Sequence, residues 1–316
     1  MPSISKISVC IATYNMRHLI LQTINHCLGQ TDLHGASLEI VVYDDCSTDG
    51  TEDIMKVVQN TVQGYLRTEV KYIRGSENIG VGEGFNRAIQ ASTGDVVVLM
   101  CADDLIPTRY FFKDVIRIFE INDFCGHISR YYAQFIDGHK GAVRAWRGNN
   151  PYVLANNPSG LAFRRTALET SGAKCSNKMF IETTKLVHDV LKFGWGYEIL
   201  PYDAIAVRVH ASTSTQAGYW LKRRVSSPVL DQYELGATDI AKDFVSLIQI
   251  KRGFKLSAVI EEIGNFIKIR PINLLDPRFW FWSIVAVTIP RSWAVHLPAF
   301  YRHRIGRLLT RSIPRP

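Results

Sequence analysis

Hydrophobic and polar positions over the first 120 residues fall into blocks that alternate between two periodicities. Ile7–Ala12 is short, largely apolar and rich in β-branched side chains, which reads as a strand buried on both faces. Met16–Leu28 then sets Leu19, Ile20, Thr23, Ile24 and Cys27 at helical spacing. Leu38–Tyr43 is a second buried strand, ending at Asp44-Asp45, and Ser47–Gly50 is a turn that opens a helix over Thr51–Val58. A third strand is expected at Val70–Ile73 and a helix over Gly80–Ala91, with Val81, Phe85, Ala88 and Ile89 on one side. Asp95–Met100 is a fourth strand, followed by a helix from about Thr108 to Glu120. Such alternation predicts right-handed βαβ units and a mostly parallel α/β sheet, whose ligands bind beyond the carboxyl ends of the strands. Thr13-Tyr14-Asn15, Asp44-Asp45 and Asp103-Asp104 all stand at such ends.

The pattern then changes. Ser129–Asn157, rich in Tyr, Trp, Gly and Asn, reads as loops and antiparallel strands, and Pro158–Ser171 as a strand or turn leading into a short helix. Glu182–Phe193 is helical with Leu186, Val187, Val190 and Leu191 on one face, capped by Gly194, and Ile199–His210 is extended. Helices are expected over Thr238–Ile250 and Leu256–Ile267. Phe279–Tyr301 is strongly apolar and aromatic but is interrupted at Pro290-Arg291. A bilayer-spanning helix needs about 20 apolar residues, so an interfacial or re-entrant segment is the better reading. Packing on the body or a dimer interface would use the same residues.

Composition sharpens this. The chain has 316 residues, 47% hydrophobic and 21% charged, which excludes disordered and low-complexity classes. Seven of its eight net positive charges are arginines between Pro277 and Pro316, a stretch with no Lys and no acid. A polyanion-binding surface therefore belongs to the tail, and its Trp, Phe, Val and Pro favour an anionic membrane over nucleic acid. The six cysteines form no C-x-x-C pair, and Met1–Ser5 with Ile7–Thr13 lacks the layout of a signal peptide, so a reduced, cytosolic compartment is expected.

Two adjacent carboxylates, Asp103-Asp104, beside a dry sheet edge repel each other and resist desolvation. A divalent cation relieves both problems, and Asp oxygens suit Mg²⁺ or Mn²⁺; an ordinary helix cap is the alternative. Asp45 at a neighbouring strand end is either a turn residue or an acceptor for a base N–H or ribose hydroxyl.

Several segments occur in a telling order. They are Ile7–Asn15, Ile40–Thr51, Asn78-Ile79-Gly80, Asn86-Arg87-Ala88, Gly94–Leu99, and Cys101-Ala102-Asp103-Asp104 with Pro107. In order and spacing the chain resembles a family 2 glycosyltransferase of the GT-A fold, of the bacterial polysaccharide or O-antigen type. Ser159–Arg165 is similar to the family's acceptor-side strand, and Arg208–Ser214 to its R-x-H-x-x-S-x-S segment, where the His approaches metal or diphosphate.

The resemblance implies a Rossmann-like GT-A domain over 1–225, with a nucleotide-binding half at 1–120 and an acceptor-side half at 121–225. A helical extension over 226–316 would follow, with 279–316 on a membrane. It implies an inverting transfer from a nucleotide-sugar donor bound across Thr13, Tyr14, Asn15, Asp45, Asn78, Gly80, Asn86 and Asp103. Mn²⁺ or Mg²⁺ would be held by Asp103, Asp104 and His210. By analogy, the acceptor is a lipid-linked glycan at the cytoplasmic face of the membrane, with the protein peripheral there. Two positions depart from the family pattern. Cys101 stands where an Asp is frequent, and Thr183 stands where an Asp serves as general base. Glu182 is the expected substitute base, with Asp189 two turns on as a further candidate and a plain helix-start acid as the bland reading. Thr183 also leaves room for a catalytically impaired sugar-nucleotide-binding or scaffold protein. A nucleotidyltransferase would want a Gly/Arg/Lys-rich phosphate loop after the first strand, and Ala12–Asn15 is none.

Overall fold

A computed structural model describes residues 3–137, 141–142, 144–149, 151–177 and 182–210, together with 280 and 284. The chain divides into two compact units, Met1–Thr213 and Ser214–Pro316, and nearly all described residues lie in the first. The helices expected at 238–250 and 256–267, the boundary at 225 and the aromatic stretch 279–301 lie outside the described residues, apart from Trp280 and Ile284.

The first half builds β1 (Lys6–Thr13), α1 (Ile20–Leu28), β2 (Ser37–Asp44), α2 (Thr51–Val62), β3 (Thr68–Arg74), α3 (Val81–Ala91), β4 (Val96–Cys101) and α4 (Phe111–Ile121). The second half adds β5 (Cys125–Phe135), β6 (Arg144–Trp146), α5 (Pro151–Leu154), β7 (Ala162–Arg164), α6 (Arg165–Ser171), α7 (Glu182–Phe193) and β8 (Gly196–Arg208). All eight strands join one sheet in the order β3-β2-β1-β4-β7-β5-β6, with β8 also on β5. The β1–β2, β1–β4, β2–β3 and β5–β8 pairings are parallel, and β7 inserts antiparallel between β4 and β5.

The strands are apolar on both sides because helices cover both. Ile7, Val9 and Ile11 pack with Ile20, Ile24, Met55 and Phe111 on one face. Cys10, Val41, Val97 and Leu99 pack with Phe85, Leu186, Val187 and Val190 on the other. Burying a side chain of this size contributes ~1.5–3 kcal/mol, so these two layers dominate the stability.

Several boundaries differ from the periodicity: α2 runs on to Val62, β8 starts at Gly196, and three more involve polar contacts. Helix α1 begins at Ile20, after a turn closed by the Leu19 and Ile20 amides on the Met16 carbonyl (both 3.0 Å), with the Asn15 and Arg17 amides held by Ser47 Oγ (2.8 Å) and Asp49 Oδ2 (2.9 Å). Helix α4 begins at Phe111, because the Thr108 and Arg109 carbonyls accept from Gln30 Nε2 (2.7 Å) and the Thr31 amide (2.9 Å). Strand β5 starts at Cys125, ahead of the loops and antiparallel strands expected from Ser129 on; it pairs antiparallel with β6, as expected there, and also takes a parallel partner in β8. Its Gly126, His127, Ser129 and Arg130 are all buried, the last two within the segment read as loops and antiparallel strands. His127 is satisfied by Ser129 Oγ (2.8 Å) and the Ala162 carbonyl (3.1 Å), and stacks on Phe163 at 4.6 Å.

Candidate active site

The parallel register sets Thr13 opposite Asp44 and Ala12 opposite Cys101, so β1, β2 and β4 end together. Beyond β4 the chain turns sharply. Thr23 Oγ1 donates to the carbonyls of Ala102 and Asp104 (both 2.9 Å), which anchors the acidic pair over α1. Asp104 is 1% exposed. Its Oδ2 accepts from Ser159 Oγ (2.5 Å) and its Oδ1 from the Arg208 amide (3.0 Å). Burial, and then the neighbouring charge of Asp103, raise the Asp104 carboxyl well above the usual carboxylate range. Asp103 lies outward, and its Oδ2 stands 3.0 Å from His210 Nε2. That hydrogen bond raises the His210 imidazole above its ordinary value, favouring the cation.

The Cys101 sulfur and one oxygen of each of Asp103 and Asp104 lie within 4.8 Å of one another. Burial, then the negative charge of Asp104 and Asp103, push the Cys101 thiol far up, so it stays protonated. The two carboxylates are hard oxygen donors, which fit Mn²⁺ or Mg²⁺, and the His210 imidazole beside Asp103 would add a borderline nitrogen once deprotonated. Arg208 frames the group from below. Its Nε donates to the Asp103 carbonyl (3.1 Å), Nη2 to Gln22 (2.6 Å), and Nη1 pairs with Asp137 (2.5 Å).

The other expected donor contacts divide into two kinds. Thr13 is 4% exposed, and its hydroxyl is a buried side-chain polar atom with no hydrogen-bond partner among the described residues. An unsatisfied buried hydroxyl costs ~1–3 kcal/mol, and a ligand's polar group would relieve it. Tyr14 is 46% exposed, and Asn78 is exposed. Asp45, Asn15 and Asn86 are instead committed to the protein. Asp45 accepts the Ile79 amide on one oxygen (2.7 Å) and the Gly80 amide on the other (2.8 Å), which pins the loop before α3 and leaves one lone pair on each. Gly80 there has φ +91°, a backbone that L side chains rarely adopt. Asn15, at φ 54°, accepts the Thr48 amide (2.8 Å). Asn86 ties α3 to the Cys175 backbone (2.8 and 3.1 Å).

Helix α7 brings the base candidates. Glu182 is half-buried in the first turn of α7. Thr183 is 2% exposed and donates to the Ala155 carbonyl (2.6 Å). Asp189 is engaged by Lys185 and by His188 (3.3 Å). Reasoning from sequence assigned no role to Ser159, Asn157 or Arg130. The signal for Ser159 was its place in the Ser159-Gly160 motif; the other two carry none.

Residues 8–172, just over half of the chain, match the model of Glycosyl transferase family 2. The chain belongs to that family. An uncharacterized glycosyltransferase of Nostoc sp., alr2836, is 29% identical over 179 residues, covering 52% of each chain. The poly(ribitol-phosphate) β-N-acetylglucosaminyltransferase TarS of Staphylococcus aureus is 33% identical over 101 residues, covering 32% of this chain and 17% of TarS. This family 2 chain thus spans about half, or less, of the length of the curated relatives it matches. Among solved structures, TarS 1-349 in complex with UDP superposes with a TM-score of 0.58 at 17% identity, covering 93% of this chain and 91% of that one. The mannosyltransferase PcManGT from Pyrobaculum calidifontis, in complex with GDP-Man and Mn²⁺, gives 0.54 at 17% identity, covering 96% and 83%. At these identities the superpositions establish the fold.

Proposed function

We propose that the chain transfers a sugar from a nucleotide-sugar donor to a hydroxyl of a cell-surface glycan, in one inverting displacement. The observation that carries this is the cluster at the end of β4: Asp103 against His210, Asp104 beside them, and Cys101 within 4.8 Å of the two carboxylates. The UDP and GDP-Man bound by the two neighbours support a nucleotide-sugar donor, and the name of TarS supports a polymeric acceptor.

Asp103, Asp104 and His210 would hold the divalent cation, which when bound neutralises the diphosphate leaving group. Thr13 offers its unpaired hydroxyl to the donor. Glu182 takes the proton of the acceptor hydroxyl as the acceptor oxygen bonds to the anomeric carbon and the bond from that carbon to the diphosphate oxygen breaks. The nucleotide diphosphate leaves with the electron pair. We infer further that residues 279–316 hold the protein on the cytoplasmic face of an anionic membrane, beside a lipid-linked acceptor. Seven arginines at about 1 kcal/mol each near the surface are sufficient for that.

The test is nucleotide release by the purified protein from a panel of nucleotide-sugars, with Mn²⁺, Mg²⁺ or EDTA, and with lipid-linked glycans as acceptors. Metal-dependent release from one donor, with sugar appearing on an acceptor, is expected. Donor binding with no transfer to any acceptor would favour a non-catalytic sugar-nucleotide-binding protein.

A further inference from the structure

We propose that Arg130, in the middle of β5, is a positioning residue that sets Asp104 and Glu182 relative to each other through the segment 154–159. The proposal rests on the glycosyl-transfer reading of the site.

Arg130 is completely buried, and its hydrogen bonds go to neutral oxygens of one short segment. Nε donates to the Ser159 carbonyl (2.5 Å) and Nη1 to the Leu154 carbonyl (2.8 Å). Nη2 donates to both the Asn157 carbonyl (2.8 Å) and its side-chain oxygen (2.9 Å). The guanidinium also lies over the Tyr132 ring at 4.9 Å. Among the described residues no carboxylate pairs with it; burying a cation without such a partner is costly, and an apolar side chain of similar volume fills a core without that cost. Core packing therefore gives no account of an arginine here. Its planar fork of donors does: no other side chain reaches three successive bends of a backbone at once.

The gripped segment touches both halves of the proposed chemistry. On one side, Ser159 Oγ accepts the Cys101 amide (2.8 Å) and donates to Asp104 Oδ2, and Asn157 Nδ2 approaches that same oxygen at 3.5 Å. On the other side, Thr183 donates to the Ala155 carbonyl and Thr184 to Asn156 Oδ1 (3.2 Å), which hangs the first turn of α7, with Glu182, on the same residues. The fit is close: a Cβ on Gly160, at φ +80°, would stand 3.0 Å from Arg130 Nε and 2.5 Å from Ile205. Thr183, at the position where the family carries an acid, is thus the link between Arg130's segment and the helix that bears Glu182.

The test measures Mn²⁺ affinity of the full-length protein from the EPR signal of free Mn²⁺, with donor KM and kcat alongside. Residues that orient metal ligands cost ~10–100-fold in metal affinity or activity when removed, and that loss is expected for Arg130→Met with the fold intact by circular dichroism. Arg130→Lys keeps the charge but not the fork and should recover little of it. Ser159→Ala breaks the link to Asp104, and Arg130→Met combined with it should be no worse than the poorer single variant. Asn157→Ala, at a half-buried position, should weaken Mn²⁺ binding even where Arg130→Met fails to fold. Wild-type affinity in a folded Arg130→Met or in Asn157→Ala, or losses that multiply in the double variant, would overturn the proposal alone. A wild-type protein that neither binds Mn²⁺ nor releases nucleotide would overturn the transferase reading, and this proposal with it.

Discussion

Glu39 offers the sharpest check on the energetics, because it lies at the end of the sheet away from the site. It stands on β2 five residues before Asp44, about 17 Å at ~3.3 Å per residue. Its side chain is fully enclosed, yet it is charged. Lys71 Nζ donates to Oε1 (2.6 Å), Thr93 Oγ1 to Oε1 (3.0 Å), the Thr93 amide to Oε2 (2.8 Å), and Ser8 Oγ to Oε2. Burial pushes the carboxyl up, but these hydrogen bonds outweigh it and hold the value down from 4.5 to about 2. At about 1.4 kcal/mol per pK unit, this makes the ionised form worth about 3 kcal/mol to the fold. Glu39→Gln keeps the shape, removes the charge and turns an N–H₂ towards groups that are themselves donors. It should cost about 3 kcal/mol at pH 7, or about 6–12 °C in Tm for a unit of roughly 200 residues. The folded value lies below the unfolded one. The stabilisation is therefore complete above pH 4.5 and drains away as pH falls from there towards 2. His127, held neutral by burial with its value lowered from 6.5 to about 3, destabilises both proteins alike as pH falls from 6.5 towards 3 and cancels in the difference. The assay is urea unfolding of both proteins at intervals from pH 8 to pH 3, within the range where each refolds. A gap below about 1 kcal/mol at pH 7, or one that fails to narrow below pH 4.5, would refute the reasoning.

Four further outcomes are expected. Asp104→Asn should abolish Mn²⁺-dependent donor binding, measured by calorimetry with and without EDTA; retained metal-dependent turnover would remove Asp104 from the metal site. Glu182→Gln should lower kcat by ~10²-fold or more with donor affinity nearly unchanged, and unchanged kcat in a transfer assay would clear it as base. Thr183→Asp should not raise kcat and should destabilise by at least ~2 kcal/mol in urea, because its carboxylate would face the Ala155 carbonyl; a gain in kcat would restore position 183 as the base site. Removing residues 279–316 should release the protein from anionic vesicles in a sedimentation assay, and salt-resistant retention would place the anchor elsewhere.

The first four strands were legible because their two-sided burial leaves an uninterrupted apolar signal, and the motifs at their ends need only sequence order to fall on one sheet edge. Strand β5 was not, because its middle spends polar residues on partners distant in sequence. His127 meets Ala162, and Arg130 meets Leu154, Asn157 and Ser159. A polar residue reads as exposed until its partner is known, and no local pattern names that partner. Asp45 shows the same limit from the other side. Its place after β2 marks the sheet edge correctly, but its hold on the Ile79 and Gly80 amides, one to each oxygen, is set by partners more than thirty residues away.

Position 183 shows why a one-residue departure from a family pattern carries less than it suggests. Successive residues on a helix point about 100° apart. Glu182 is half-buried, whereas Thr183 is buried and donates to the Ala155 carbonyl. A carboxylate at 183 in this backbone would be a buried anion facing an acceptor, not a base facing a substrate. The acid at 182 and the hydroxyl at 183 therefore read as one arrangement rather than as a lost residue. On the proposed function, the helix presents its acid one position earlier and uses the next residue to fasten itself to the segment that Arg130 contacts. The two variants together separate this from a non-catalytic fold: an exchanged role predicts loss at Glu182 and no gain at Thr183, whereas a dead site predicts no change at either.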